Sequence, residues 1–194
     1  KDENHGFHEK FHEKIILQSE IPEILKKFNF ETKRILEEHN FTLLERLLPD
    51  LCADRVDYVL RDLVIEQGRS DKIKSYISSF INHNGEIIIN DRSLAKSFSE
   101  DYLRMDQDQW SHPLEVALFE ILADAIKIAL DNNIINEDDL FEDDFHVYNK
   151  LIDSENPEIL EKLKMINPNL KIIEDINDFH FYTKTKLRYI DPKF

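Results

Sequence analysis

Residues 49–66 read Pro49-Asp50-Leu51-Cys52-Ala53-Asp54-Arg55-Val56-Asp57-Tyr58-Val59-Leu60-Arg61-Asp62-Leu63-Val64-Ile65-Glu66, the best-patterned helix in the chain. Val56, Val59, Leu60 and Leu63 recur at helical spacing on one side. Pro49 suits a first turn, and Asp50 and Asp54 suit a helix N-terminus. Asp54, Tyr58 and Asp62 fall at i, i+4 and i+8, within an arc of roughly 80°. Spacing alone allows two readings of this face. The commoner is a salt-bridged surface in which Asp57 and Arg61 form an i,i+4 pair; the other is a polar face gathered around a ligand.

Outward from this helix, Gly68 is a stop signal, and Ser70 or Asp71 is placed to cap a helix through Ile73, Tyr76, Ile77 and Phe80. Asn82-His83-Asn84-Gly85 marks a turn before the β-branched run Ile87-Ile88-Ile89. Helical patterns follow near 93–104, 112–131, 137–152 and 157–165. Upstream, Pro22 splits residues 8–27 into two helices meeting near Ser19–Pro22, and 31–48 reads as a further helical pair. The tail differs: Leu170, Ile172, Ile173, Phe179, Phe181 and Tyr182 through Tyr189 predict one or two antiparallel strands. On a strand Lys184, Lys186 and Arg188 share one face, either a solvated edge or a set of phosphate contacts. With only three Gly and six Pro, the expected fold is mostly α, a helical core over 1–165. A small antiparallel β element sits at the C-terminus, in a tail over 166–194 packed on that core.

Composition narrows the function classes. The 194 residues hold 25 Lys+Arg against 40 Asp+Glu, a net charge of −15. That argues against general binding to a nucleic-acid backbone, which needs clustered cations. Cys52 is the sole cysteine, so no internal disulfide forms and a reducing, cytoplasmic setting is expected. No apolar run approaches the roughly 20 residues of a spanning helix, and no signal peptide is visible, so no membrane partner is expected. The chain opens on Lys1 without an initiator Met and stops after Phe194; a piece of a longer protein is expected.

Two further motifs resemble metal sites. His5, His8 and His12 precede the first apolar run, and His8 to His12 spells H-E-x-x-H, two imidazoles one turn apart with Glu9 as a base. Lys10 sits where zinc proteases usually carry an uncharged residue, and no third ligand follows at a recognised interval. A zinc protease is therefore the lesser alternative to a charged helix start. Asp131, Asn133 and Glu142 match the first, third and twelfth positions of an EF-hand loop, but Ile135 and Asn136 fail the fifth and sixth. The stretch reads as an acidic loop.

Ala53-Asp54-Arg55-Val56-Asp57-Tyr58-Val59-Leu60-Arg61-Asp62 resembles the last signature of the HD-superfamily phosphohydrolases, in the branch that includes deoxynucleotide triphosphohydrolases. The resemblance implies that Asp54 is the last of four metal ligands and that Arg55, Tyr58 and Asp62 face phosphate or sugar. His12-Glu13 is similar to an upstream His-Glu of that family, where the His faces the substrate phosphates. Gly85 through Ile89 followed by Ala95 to Tyr102, and the tail Lys184 to Pro192, also resemble family features. The family's own His and His-Asp ligands are missing: none of the eight His is followed by Asp. In the family those motifs precede the His-Glu, so they would lie upstream of Lys1.

The resemblance implies a helical HD-like bundle and a metal-dependent phosphohydrolase acting on a phosphorylated small molecule, a nucleotide among the candidates. Its cofactor would be a divalent ion (Mn, Fe, Mg, Ni or Zn), with Asp54 as ligand, His12 as proton donor, and Arg55, Tyr58, Asp62 and Lys186 as substrate contacts. Homo-oligomers occur in the family, though no interface signal stands out here. The alternative is a non-catalytic nucleotide-binding or scaffolding module of the same fold.

Overall fold

The N-terminal stretch breaks where its proline dictates, into α1 (His12–Gln18) and α2 (Ile21–Lys27), with Pro22 in the first turn of the second. The structure, a computed structural model, describes residues 8–68 and 70–194. His5 lies outside the described residues, as does the side chain of His8. The chain divides into two compact units: one runs to Gln107 and regains Lys186–Phe194, the other is Asp108–Thr185.

In the first unit α3 (Thr32–Leu36) is short, and the second helix expected within 31–48 does not form. Residues 41–52 instead fold back along the start of α4 (Ala53–Gln67). The carbonyls of Leu43 and Leu44 accept from the amides of Ala53 and Asp54 at 2.7 and 3.2 Å. Those acceptors serve a neighbouring helix's orphan donors rather than a helix of their own. α4 stops at Gly68, whose φ of +70° suits a residue without Cβ.

α5 (Asp71–Ser79) starts at Ser70, whose Oγ accepts from the Ile73 amide at 3.3 Å. β1 (Phe80–His83) and β2 (Glu86–Ile89) pair antiparallel, with Phe80 opposite Ile89 and His83 opposite Glu86. Asn84 (φ 53°) and Gly85 (φ 81°) make the two-residue turn between them, the left-handed pair a tight hairpin demands. α6 (Arg92–Met105) is capped by Asp91, which accepts from the Leu94 amide at 2.8 Å.

Val59 and Leu63 of α4, Ile73 and Tyr76 of α5, and Ala95, Phe98, Tyr102 and Met105 of α6 are all buried. Phe98 takes Tyr76 and Phe80 edge-on at centroid separations of 5.2 and 5.3 Å. The fold is thus mostly helical with one small antiparallel sheet, but the sheet lies at 80–89 and not in the tail. The described tail contains no strand: Ile89 donates to the Lys193 carbonyl and Asp191 to the Pro49 carbonyl, both at 3.0 Å. These are isolated bonds without a ladder, so no shared face for Lys184, Lys186 and Arg188 is created.

The second unit contains α7 (Pro113–Asp131), α8 (Asp144–Asp153) and α9 (Pro157–Met165). Ala125 and Ala129 of α7, Leu151 of α8 and Ile159 of α9 join Ile135 in its core. The expected helix over 137–152 is a 3-10 turn, Glu137–Phe141, followed by α8. The EF-hand-like stretch is a capping box instead: Asn136 accepts from Asp139, whose carboxylate accepts back from the Asn136 amide at 2.9 Å.

That carboxylate also takes Lys150 Nζ at 2.6 Å and His146 Nε2 at 2.9 Å. Lys150, the Asn136 amide and His146 hold the Asp139 carboxyl well below the usual carboxylate range. A depressed folded pKa gives stability that is complete above the unfolded value of about 3.9 and is lost as pH falls below it. Asp139→Asn should therefore flatten the decline in melting temperature of residues 108–185 between about pH 5 and pH 2, relative to the unsubstituted chain. Parallel declines in the two would contradict this assignment.

Candidate functional site: the carboxylate face of α4

The first turn of α4 is held from behind. Arg55 is only 12% exposed. Its Nη1 donates to the Asp50 carbonyl at 2.9 Å and to Cys52 Sγ at 3.2 Å. Nη2 donates to the Arg46 carbonyl at 2.6 Å and to Glu45 Oε1 at 3.2 Å. One planar fork thereby fixes the loop 45–52 against the helix it introduces. Burial pushes the Cys52 thiol up, with Arg55 opposing, so it is no candidate nucleophile.

A second clamp closes the far side of the loop. Arg46 reaches Asp50, Glu86 and the Gly85 carbonyl, and Lys193 Nζ meets Glu86 at 2.7 Å and Asp50 at 3.6 Å. The hairpin and the last residues of the chain thus both brace the segment that leads into α4.

With its N-terminus fixed, α4 turns Asp54, Tyr58 and Asp62 to one side. Asp54 is exposed, and it makes no ion pair among the described residues. Tyr58 and Asp62 are half-buried. The Tyr58 hydroxyl meets that of Tyr102 on α6 at 2.8 Å, and either can donate. Burial and this mutual bond push the Tyr58 hydroxyl far above its ordinary value, so it stays neutral. Burial also raises Tyr102, against the nearby charges of Arg55 and Arg188. Asp57 pairs with Arg61.

Two shallow grooves border this helix region. One, of about 330 Å³, is lined by Ala53, Val56, Asp57 and Leu60 of α4 with Phe80 and Ile87 of the hairpin. At about 100° per residue Ala53, Val56 and Leu60 face away from Asp54, Tyr58 and Asp62, while Asp57 stands about 60° round the helix from Asp54. The other, of about 320 Å³, runs along Lys96, Ser99 and Tyr102 of α6 beside Arg188 and Tyr189. Tyr102 links it to the Tyr58 side of α4, and Arg188, 3.6 Å from Asp106, supplies a cation there.

Asp54, Arg55, Tyr58 and Asp62 therefore share one helix, with Asp54, Tyr58 and Asp62 on one flank and Arg55 turned to the loop. A phosphate contact by Arg55 would require it to give up its loop carbonyls. His12 opens α1, half-buried, on a separate element, and Lys186 is exposed in the returning tail. Tyr102 is the residue that sequence reasoning passed over; its place in the apolar series Phe98, Tyr102, Met105 concealed the hydroxyl. Among the described residues no group of three or more His, Cys, Asp or Glu is arranged to hold a metal ion. No described helix is long and apolar enough to cross a membrane.

The chain is similar to two curated proteins. It is 36% identical over 189 residues to the uncharacterized protein YdhJ of Bacillus subtilis, covering 96% of this chain and 58% of that protein. It is 30% identical over 122 residues to the metal-dependent phosphohydrolase cns2 of Cordyceps militaris, covering 59% of this chain and 35% of that protein. The chain therefore spans less than two thirds of the length of either relative. No protein-family model matches it, and no solved structure does.

Proposed function

We propose that this chain is part of a metal-dependent phosphohydrolase of the HD type, with Asp54 as one oxygen ligand of a divalent ion. The substrate class is a phosphorylated small molecule, with nucleotides the first to test. The observation that carries the reading is the flank of α4. An exposed carboxylate in the first turn, backed by a half-buried arginine clamp and followed by Tyr58 and Asp62, is what a ligand-bearing helix needs. Similarity to a protein named as a metal-dependent phosphohydrolase supports it.

Asp54 fits such a role as a hard anionic oxygen. One carboxylate does not make a site, and the ion would need further ligands. A bound divalent ion would polarise the phosphoryl oxygen and lower the pKa of its water. This chain's residues would do the rest. Arg55 holds the turn that aims Asp54. The neutral Tyr58–Tyr102 hydroxyl pair offers a hydrogen bond to a sugar or phosphate oxygen. His12 would donate a proton to the leaving oxygen, the role that imidazole suits.

Phosphate release from nucleoside mono- and triphosphates, measured on the whole protein with Mn²⁺ and after chelation, tests this reading. Release that stops on chelation and returns with metal is expected. Nucleotide binding without metal-dependent release would instead establish the non-catalytic module. The 194-residue chain by itself should show no sub-micromolar site in calorimetric titration with Mn²⁺ or Ni²⁺. Such a site would mean that His5, His8 and His12 form one of their own.

A further inference from the structure

The charge of this protein is unevenly placed. Residues 108–185 carry 18 carboxylates against six lysines and no arginine, a net −12 of the chain's −15. Within that acidic unit α8 has three distinct sides. Val147 and Leu151 face inward to the core with Ile159. His146 and Lys150 are engaged by Asp139. The third side presents Phe145, Tyr148 and Ile152, which are 77%, 48% and 39% exposed.

Those three positions fall within an arc of roughly 60°, at i, i+3 and i+7. That is the spacing with which one helix receives the apolar side of another. The outward side of a surface helix is ordinarily polar, and here two aromatic rings and an isoleucine stand on it. Carboxylates frame the stripe: Glu142, Asp143 and Asp144 at its start, and Asp153 and Glu155 at its end, all exposed.

We propose that this face of α8 is a docking surface for a lysine- or arginine-rich amphipathic helix of another protein. The apolar stripe supplies the contact, and the acidic frame selects the charge and speeds encounter. Charge complementarity chooses the occupant among those an apolar stripe would accept. A second copy would bring an equally acidic unit against this one. Nucleic-acid backbones and anionic bilayers are repelled for the same reason.

The test uses a fluorescent 18-residue helical peptide with Leu at i, i+3, i+4 and i+7 and Lys elsewhere, and a matched peptide with Glu in place of Lys. Anisotropy titrations with the whole chain are expected to show binding of the Lys peptide, weakened at least tenfold by raising salt from low to molar concentration. The Glu peptide should not bind. Phe145→Ser together with Ile152→Ser should weaken binding at least tenfold, and Phe119→Ser, at another exposed position of the same unit, should leave it unchanged. Asp153→Lys guards against a folding artefact, because a cation suits the last turn of a helix; it should weaken binding several-fold with α8 intact.

Equal binding of both peptides, or indifference to the Phe145 and Ile152 changes, would overturn the proposal. So would a self-association broken by those changes, which would make the occupant a second copy. Binding to phosphatidylserine vesicles that depends on Phe145 would make it a membrane.

Discussion

Replacing Arg55 with Ala should lower the stability of the unit containing α4 by about 3 kcal/mol, the scale of losing several partly buried charge-assisted hydrogen bonds. The side chain is 12% exposed, and its fork serves the carbonyls of Arg46 and Asp50, Cys52 Sγ and Glu45. Removal leaves two carbonyls of an irregular loop without their donor, which is the costly way to break a hydrogen bond. Arg55→Lys should recover only part of the loss, since one ammonium cannot span acceptors on both sides of a planar fork. Urea titration followed by circular dichroism reads the size of the effect. Hydrogen exchange locates it, because the Ala53 and Asp54 amides, bonded to Leu43 and Leu44, should exchange sooner. A loss near that of an exposed ion pair, under about 1 kcal/mol, would mean that Arg55 does not hold the loop.

This clamp marks the limit of what periodicity could reveal. The helix patterned over 51–66 appears as α4, though it opens at Ala53 and not at Pro49, because residues 49–52 belong to the loop that Arg55 holds. The proline break at Ser19–Pro22 and the Pro157 start also appear, because each depends on spacing or capping within a few residues. Residues 41–48 carry the same helical spacing, yet their carbonyls serve Ala53, Asp54 and Arg55, partners that no local pattern shows. The tail's alternation suggested a strand, but a strand needs a neighbour along its length, and only single bonds at Lys193 and Asp191 are made. The hairpin was half legible. Asn84-Gly85 and the Ile87–Ile89 run were plain, while Phe80 read as the end of a helix and Asn82-His83 as part of the turn, where the structure has β1.

The candidate site follows the same division. The i, i+4, i+8 spacing placed Asp54, Tyr58 and Asp62 on one flank. Arg55's turn toward the loop depends on how residues 45–52 fold back on the helix, and the Tyr58–Tyr102 hydroxyl contact depends on packing across 44 residues of sequence.

Asp54→Asn should reduce metal-dependent phosphate release by the whole protein about a thousandfold or more, the effect of about 4 kcal/mol lost from the transition state. The substitution keeps the size of the side chain and its place in the first turn, and it removes the anionic oxygen a divalent ion prefers. Melting temperature should barely move, because the carboxylate is exposed. Asp57, three residues on, is the internal control. It is exposed as well and its carboxylate is engaged by Arg61, so Asp57→Asn should leave turnover within about twofold, with a surface pair's small effect on stability. Turnover and melting temperature of the two variants, measured side by side with Mn²⁺, test the central claim most directly. A collapse of activity at Asp54 alone, at unchanged stability, is the predicted result; equal effects at Asp54 and Asp57 would contradict it.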